Sequence, residues 1–321
     1  MREHHIKLTL LECLSDGEFH SGEALGDKIG VSRAAISKHI KGIQDWGLDI
    51  YRVQGRGYQL ANPLELLDGD KLKDPLGSGS ISVIPVIDST NQYLLDRINE
   101  LDSGSVCLAE YQSSGRGRRG RQWVSPFGAN LYLSMYWRLD AGMAAAMGLS
   151  LVVGVAVVEA LEKLGVHGIK LKWPNDLYYN DQKLAGILVE MSGQAGGAAN
   201  LVIGMGLNIA MEAGSEDIDQ PWTSLNKVTD GGVPGRNELA QALIVTLRNA
   251  LVDYEQSGMV GFVPRWNRLD NFLGRQVRLI IGPREIEGEV MGIDEQGAVI
   301  LKNENGIQSF IGGEISLRKN D

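Results

Sequence analysis

Apolar residues recur at helical spacing through the first fifty positions of the chain. Leu8, Leu10, Leu11 and Leu14 form one stripe, Leu25 and Ile29 stand four apart, and Ile36, Ile40 and Ile43 share a face. Ser21 and Ser32 sit where N-caps belong, and Gly30 where a helix can end in the left-handed conformation. The pattern predicts three short helices over residues 6–47. Opposite the apolar face of the third, Arg33, Ser37 and Lys41 follow at i, i+4 and i+8, with Lys38 beside them. The periodicity then changes to two. Residues 48–53 and 58–60 flank Gln54-Gly55-Arg56-Gly57, which reads as a strand, a glycine turn presenting one arginine, and a returning strand. Helix, tight turn at Gly30-Val31, basic-faced helix and hairpin wing together predict a winged helix-turn-helix over residues 1–62, with Ser32, Arg33, Ser37, Lys38, Lys41 and Arg56 as candidate DNA contacts. A plain three-helix surface with a solvated face is the alternative, and it does not account for the hairpin.

Residues 63–80 contain Pro63, Pro75 and the run Gly77-Ser-Gly-Ser80, and read as a short helix and linker. A mixed α+β domain is expected from 81 to 270. It opens with a strand over 81–87, after which Asp88-Ser89-Thr90-Asn91 leads into a helix carrying Leu94, Leu95 and Ile98. Capping alone accounts locally for that polar run. Strands over 105–111 and 131–137 and an apolar helix over 143–164 follow. Pro174 stops the strand 169–172, so Asn175 and Asp176 sit on a turn, and Asn180-Asp181 turns a hairpin into the strand from Lys183 to Glu190. Gly204 and Gly206 lie on one face of the strand 200–208, which means either a bulge or a closely approaching ligand. Residues 209–232 are polar and acidic, with Trp222, and fit a mobile cover for a site. Helices over 236–256 and 259–269 close the domain. Short alternating strands at 277–281, 286–291, 298–301 and 307–311 predict a small SH3-like β-barrel over 271–321. The fold class is thus α/β multidomain.

Charge narrows the function. Lys and Arg number 31 against 40 Asp and Glu, a net charge of −9, which excludes a general nucleic-acid coat. Residues 1–62 carry eight of each sign, so the excess lies wholly beyond them. A near-neutral winged domain neutralises few phosphates per copy, and dimerisation would double its contacts. There is no run of 18 apolar residues, and Met-Arg-Glu-His-His at the start has no signal-peptide core. Cys13 and Cys107 lie in apolar runs without metal-ligand spacing. The expectation is a cytoplasmic protein without a membrane partner.

Against this acidic background, residues 115–121, Gly-Arg-Gly-Arg-Arg-Gly-Arg, hold four arginines and three glycines in seven positions. Glycine lets the backbone approach a ligand, and guanidinium groups grip phosphate or carboxylate through paired donors. The run satisfies G-x-G-x-x-G, but Pro126 and Gly128 argue against the helix that a dinucleotide fingerprint requires. A phosphorylated ligand, a minor-groove hook and a merely solvated loop all remain open on this stretch alone. The central domain has no Walker loop, nucleophile elbow, histidine zinc set or Cys-His pair, and His167 is its sole histidine. It offers instead Arg116, Arg118, Arg119, Arg121, Lys172 and Lys183, with Asn175, Asp176 and Asn208. That kit suits polyphosphate chemistry, where catalysis is positioning and stabilisation of charge on oxygen.

Taken in order, Gly115–Arg121, Lys172-Trp-Pro-Asn-Asp176, Lys183-Leu-Ala-Gly-Ile-Leu-Val-Glu190 and Gly204-x-Gly-x-Asn208 resemble the signature of biotin-protein ligases. With a winged domain before them and a small β domain after, the whole chain resembles the bifunctional bacterial ligases that also repress the biotin operon. The resemblance implies ATP, Mg2+ and biotin as ligands, with biotinyl-5′-AMP as intermediate and corepressor. It implies biotin carboxyl carrier protein and operator DNA as partners, and a homodimer when the adenylate is bound. It places Ser89, Thr90, Asn91, Gln112, Arg116, Gly117, Arg118 and Lys183 around biotin, with Lys183 and Arg118 catalytic. Arg118, Arg119, Arg121, Asn175, Asp176, Asn208, Trp222, Glu314 and Arg318 fall to the nucleotide. No dedicated metal site is implied: Mg2+ comes with ATP, and Asp176 is its candidate contact. The acidic stretch 211–220 departs from the family pattern and bears on how tightly the adenylate is retained. A lipoate-type acyl ligase and a ligand-sensing transcription factor without catalysis are the competing readings.

Overall fold

The structure, a computed structural model, describes residues 4–72, 79–193, 197–211, 218 and 220–311, and the backbone of 315–319. The helical stripes fold as α1 (His5–Leu14), α2 (Gly22–Ile29) and α3 (Arg33–Gln44). Ser21 Oγ accepts from the Ala24 amide at 3.0 Å and Ser32 Oγ from the Ala35 amide at 3.2 Å, which fixes where α2 and α3 begin. Gly30, at φ +80°, ends α2. The wing is the antiparallel pair β1 (Ile50–Val53) and β2 (Gly57–Leu60). Arg33, Lys38 and Lys41 are exposed along α3. The Arg56 guanidinium lies 4.0 Å from the centre of the Phe19 ring, so the wing-tip arginine is folded back on its own domain.

Residues 63–72 form no helix, contrary to expectation, because other partners hold their backbone. The Leu67 amide donates to Glu110 at 2.5 Å, the Asp68 amide to Asn237 Oδ1 at 2.8 Å, and Asn237 Nδ2 donates to the Leu66 carbonyl at 2.9 Å. The linker is thereby extended along the central domain. Residues 73–78 lie outside the described residues.

In the central domain the elements follow as β3 (Ile81–Val83), β4 (Val86–Ile87), α4 (Thr90–Leu95), β5 (Val106–Ala109), β6 (Tyr111–Gln112), β7 (Asn130–Leu139) and α5 (Leu149–Lys163). Then come β8 (Lys170–Lys172), β9 (Asp176–Tyr179), β10 (Gln182–Gly193), β11 (Ala199–Asn208), α6 (Leu225–Val228), α7 (Arg236–Ser257) and α8 (Val263–Leu269). Seven strands make one sheet in the order β3-β5-β7-β11-β10-β9-β8, antiparallel except for β3 beside β5. α5 and α7 cover one face and α4 the other. The apolar helix is shorter than predicted, since Gly148 at φ +81° separates α5 from a single 3-10 turn over Met143–Ala146.

The C-terminal strands β12 (Gln276–Ile281), β13 (Arg284–Ile293), β14 (Val299–Asn303), β15 (Gly306–Phe310) and β16 (Ile315–Lys319) form an antiparallel sheet in the order β15-β14-β13-β12-β16. The expected closed barrel is not formed, as no ladder among the described residues joins β15 to β16. A barrel needs an interior of its own, whereas here Val277, Leu279, Val290, Val299 and Leu301 are buried in the same core as the central domain.

Asp270 sits at the junction with this sheet, 8% exposed, and accepts the Phe272 amide at 2.8 Å. Burial pushes its carboxyl up to about 6, against the opposing pull of the Phe272 amide. Between about pH 4 and 6 the folded chain keeps this proton while the unfolded chain loses it, so the contribution to stability falls as pH rises through that window. Asp270→Asn keeps the acceptor without the charge. It is expected to raise the melting temperature at pH 7.5 and to lose that advantage at pH 4, which paired thermal unfolding at the two pH values measures.

Candidate active site

The sheet's two faces divide the residues of its central strands. Leu131, Leu133, Met135, Leu201, Ile203, Met205, Ala185 and Ile187 face the main core, which leaves Ser134, Gly204, Gly206, Gly186, Leu188 and Glu190 on the face that carries α4. Strict alternation backward from Gly186 would send Lys183 into the core. The ladder with β9 prevents this: Lys183 pairs with Tyr178 but Ala185 with Leu177, so Leu184 is the extra residue of a bulge. Leu184 and Ala185 are both fully buried in the core, and Lys183 emerges on the same side as Gly186.

The glycine-arginine loop folds over this face as a small hairpin. Gly117 N–H donates to the Arg121 carbonyl at 2.7 Å and Trp123 N–H to the Gly115 carbonyl at 2.9 Å, with Arg119 at φ +58° in the turn. No α-helix follows, as the sequence required. Both ends of the loop are tied down. Glu110, 2% exposed, lies 2.7 Å from the guanidinium of Arg236, itself 6% exposed. At the other end the Phe127 ring stacks on Trp46 of the winged domain at 5.4 Å and 12°, and its amide donates to the Trp46 carbonyl at 2.8 Å.

One end of the cavity is neutral and polar. Gln112 Oε1 accepts from the amide and hydroxyl of Thr90 at 2.9 and 3.1 Å, and Gln112 Nε2 donates to Ser125 Oγ at 3.1 Å. Ser134 Oγ lies 2.7 Å from Thr90 Oγ1 and 2.5 Å from Asn91 Oδ1. Capping explains only Ser89, which accepts the Gln92 amide at 3.4 Å. Gly204 and Gly206 mark no bulge, since β11 pairs with β7 without interruption. A Cβ at Gly204 would collide with Asn91, and one at Gly206 with the Trp123 indole. The glycines therefore make room for neighbouring side chains.

The other end is cationic. Lys183 Nζ lies 2.9 Å from Asp176, both largely buried, and Arg118 donates to Asn175 Oδ1 at 2.9 Å. Asn175 is on the turn after Pro174, as expected, while Asp176 already begins β9. Burial lowers the Arg118 guanidinium from its ordinary value, and Arg119 adds to this while Asp176 opposes it. Lys172 donates to the Tyr178 hydroxyl at 3.1 Å, and burial raises that phenol. Among the described residues the cavity wall holds six cations, Arg116, Arg118, Arg119, Arg121, Lys172 and Lys183, against one carboxylate, Asp176. Such a wall favours a ligand with several negative oxygens.

Ser89, Thr90, Asn91, Gln112, Gly117 and Asn175 line this cavity together with those charges. Asn208 does not: its amide donates to the Thr223 carbonyl at 3.1 Å behind the wall. Trp222 pairs by backbone with Lys183, and its ring lies under Lys227 at 4.7 Å, so it covers no part of the described cavity. Residues 212–217 and 219 of the expected cover, Glu314, and the Arg318 side chain lie outside the described residues. Sequence reasoning missed Trp123, Gly186 and Ser134. The pairing of Gly186 with Gly206 across two strands is the signal that a flat side chain lies there. No group of three or more His, Cys, Asp or Glu among the described residues could hold a metal.

Comparison with known proteins adds kinship to this geometry. Residues 83–208 match the Biotin/lipoate A/B protein ligase family, residues 272–318 the Biotin protein ligase C terminal domain, and residues 7–59 an HTH domain. The chain is 56% identical to the bifunctional ligase/repressor BirA of Salmonella typhimurium and 54% identical to that of Escherichia coli K12, in each case over 99% of both chains. It is also similar to the solved biotin protein ligase of Aquifex aeolicus in complex with biotin and ATP, with a TM-score of 0.67 and 30% identity over 75% of this chain and 99% of that one.

The collision at Gly206 gives a local test. Gly206→Ala is expected to displace the Trp123 indole at a cost of about 1–3 kcal/mol in stability. The shift is read as altered tryptophan fluorescence with unchanged far-UV circular dichroism; an unchanged emission spectrum would contradict the contact.

Proposed function

The chain belongs to the bifunctional biotin ligase/repressor family, and on that premise we propose which residues carry each half of its work. It makes biotinyl-5′-AMP from biotin and ATP, transfers biotin to a lysine of biotin carboxyl carrier protein, and represses the biotin biosynthesis operon. Relatives that match along the whole chain, winged domain included, are ligase/repressors, which rules against both the lipoate reading and a regulator without catalysis.

The observation that carries the residue assignment is the bulge that delivers Lys183 to the cation-rich wall. In the first step a biotin carboxylate oxygen attacks the α-phosphorus of ATP, and pyrophosphate leaves with the bonding pair. Negative charge grows on the phosphoryl oxygens, and Lys183 and Arg118 are the donors placed to meet it. In the second, the neutral amine of the carrier lysine attacks the anhydride carbonyl, AMP departs, and the amine sheds its proton as the amide forms. The polar end, Ser89, Thr90, Asn91 and Gln112, suits the donors and acceptors of a ureido ring, with Arg116, Gly117 and Arg118 along the acyl chain. Arg119, Arg121, Asn175 and Asp176 fall to the nucleotide, with Asn208 and Trp222 behind them and Glu314 and Arg318 from the C-terminal domain. A single carboxylate already paired with lysine is no cage for a divalent ion. It fits Mg2+ that arrives on the phosphates and keeps most of its water.

The domain limits we assign are 1–62, a linker at 63–80, 81–270 and 271–321. Operator contacts fall to Ser32, Arg33, Ser37, Lys38, Lys41 and Arg56. A winged domain with balanced charge needs a second copy for tight binding, so the repressor is the adenylate-bound homodimer. The chain works in the cytoplasm, and no helix among the described residues is long and apolar enough to cross a membrane.

Lys183→Ala is expected to lower the rate of biotin transfer to the carrier lysine on the order of 10²-fold while the chain still folds, measured with labelled biotin alongside far-UV circular dichroism. Turnover at the wild-type rate in that variant would refute the assignment. Arg33→Ala is expected to weaken operator binding in a footprinting titration and to leave transfer unchanged; loss of transfer would contradict the division of labour.

A further inference from the structure

Glu190 is on the site face of β10, two positions beyond Leu188, and it does not itself line the cavity. Its Oε2 nonetheless accepts from two residues that do, Asn91 Nδ2 at 2.8 Å and an Arg116 terminal nitrogen at 2.7 Å. These come from separate elements, the first turn of α4 and the glycine-arginine loop. We propose that Glu190 is a positioning residue for biotin, fixing Asn91 at the neutral polar end of the cavity and Arg116 beside it. The proposal rests on the ligase reading above.

The geometry explains why a carboxylate is needed. Asn91 is 5% exposed, and Ser134 lies 2.5 Å from its amide oxygen. With Glu190 taking the amide nitrogen at 2.8 Å and the Leu188 carbonyl taking it more weakly at 3.4 Å, both ends of the group are committed and its orientation is set. Arg116 shares its loop with Arg118, Arg119 and Arg121, whose charges repel it. The anion of Glu190 draws it onto the sheet by one terminal nitrogen and leaves its Nε buried without a partner, a donor still available in the cavity wall. The two side chains remain 35% and 27% exposed, so the pair adds little to overall stability and its removal leaves the fold intact.

The test is steady-state adenylate synthesis by the full chain, with biotin varied at saturating ATP and ATP varied at saturating biotin. Glu190→Ala is expected to raise the KM for biotin about tenfold or more, and to leave the KM for ATP and kcat within about twofold. Glu190→Gln, which keeps an acceptor for Asn91 but no charge for Arg116, falls between the two. In an Arg116→Met background, Glu190→Gln adds less than about twofold, because its partner is already gone. An active wild type with an unchanged biotin KM in Glu190→Ala would overturn the proposal, as would an equal rise in both KM values. A wild-type protein that makes no adenylate from biotin would instead sink the ligase reading itself, and this one with it.

Discussion

Four guanidinium groups within seven residues repel one another, each neighbouring pair by on the order of 1–2 kcal/mol at a protein surface, and a loop this glycine-rich has no core of its own to hold them. Everything about the site follows from how that repulsion is contained. Inside the loop, Arg116 is drawn to Glu190 on the sheet beneath and Arg118 to Asn175 on the turn before β9. At its base Glu110 and Arg236 form an ion pair that is almost wholly buried, of the kind whose disruption costs about 3–5 kcal/mol because the remaining charge is stranded. The same Glu110 and Arg236 bind the linker, Glu110 through the Leu67 amide and Arg236 through the Glu65 carbonyl. The loop, the linker and α7 are therefore fixed by one buried pair.

The far end of the loop is anchored in another domain. Phe127 belongs to the hydrophobic core of the winged helix domain, where it stacks on Trp46. The segment whose arginines line the cavity is in this way continuous with the body on which Arg33, Lys38 and Lys41 are exposed. The ligase domain and the winged domain share a structural member, which suits a protein that is both ligase and repressor.

Much of this was legible in the residues. The isoleucine stripe of α3, its serine cap and the glycine turn of the wing are local signals, and local physics decides them. The motif residues from Ser89 to Lys183 do converge on one cavity. What could not be read depends on contacts distant in sequence. Lys183 reaches the site because an extra residue in β10 reverses the alternation, and the partner strand reveals that bulge where the sequence does not. Gly204 and Gly206 read as a bulge or a ligand approach; the ladder has no bulge and both line the cavity, where they also make room for Asn91 and Trp123 from elsewhere in the chain. Residues 63–72 failed to form a helix because Glu110 and Asn237 claim their backbone. The C-terminal strands carry a barrel's alternation but bury their apolar face in the central core, and only packing distinguishes those outcomes.

The central claim is that this cation-rich, ureido-complementary cavity activates biotin as an acyl-adenylate. Exchange of labelled pyrophosphate into ATP by the purified chain, with biotin and then with lipoate as the acid, tests it most directly. The account predicts exchange that depends on biotin and is absent with lipoate. Exchange with lipoate alone, or with neither acid, would contradict it.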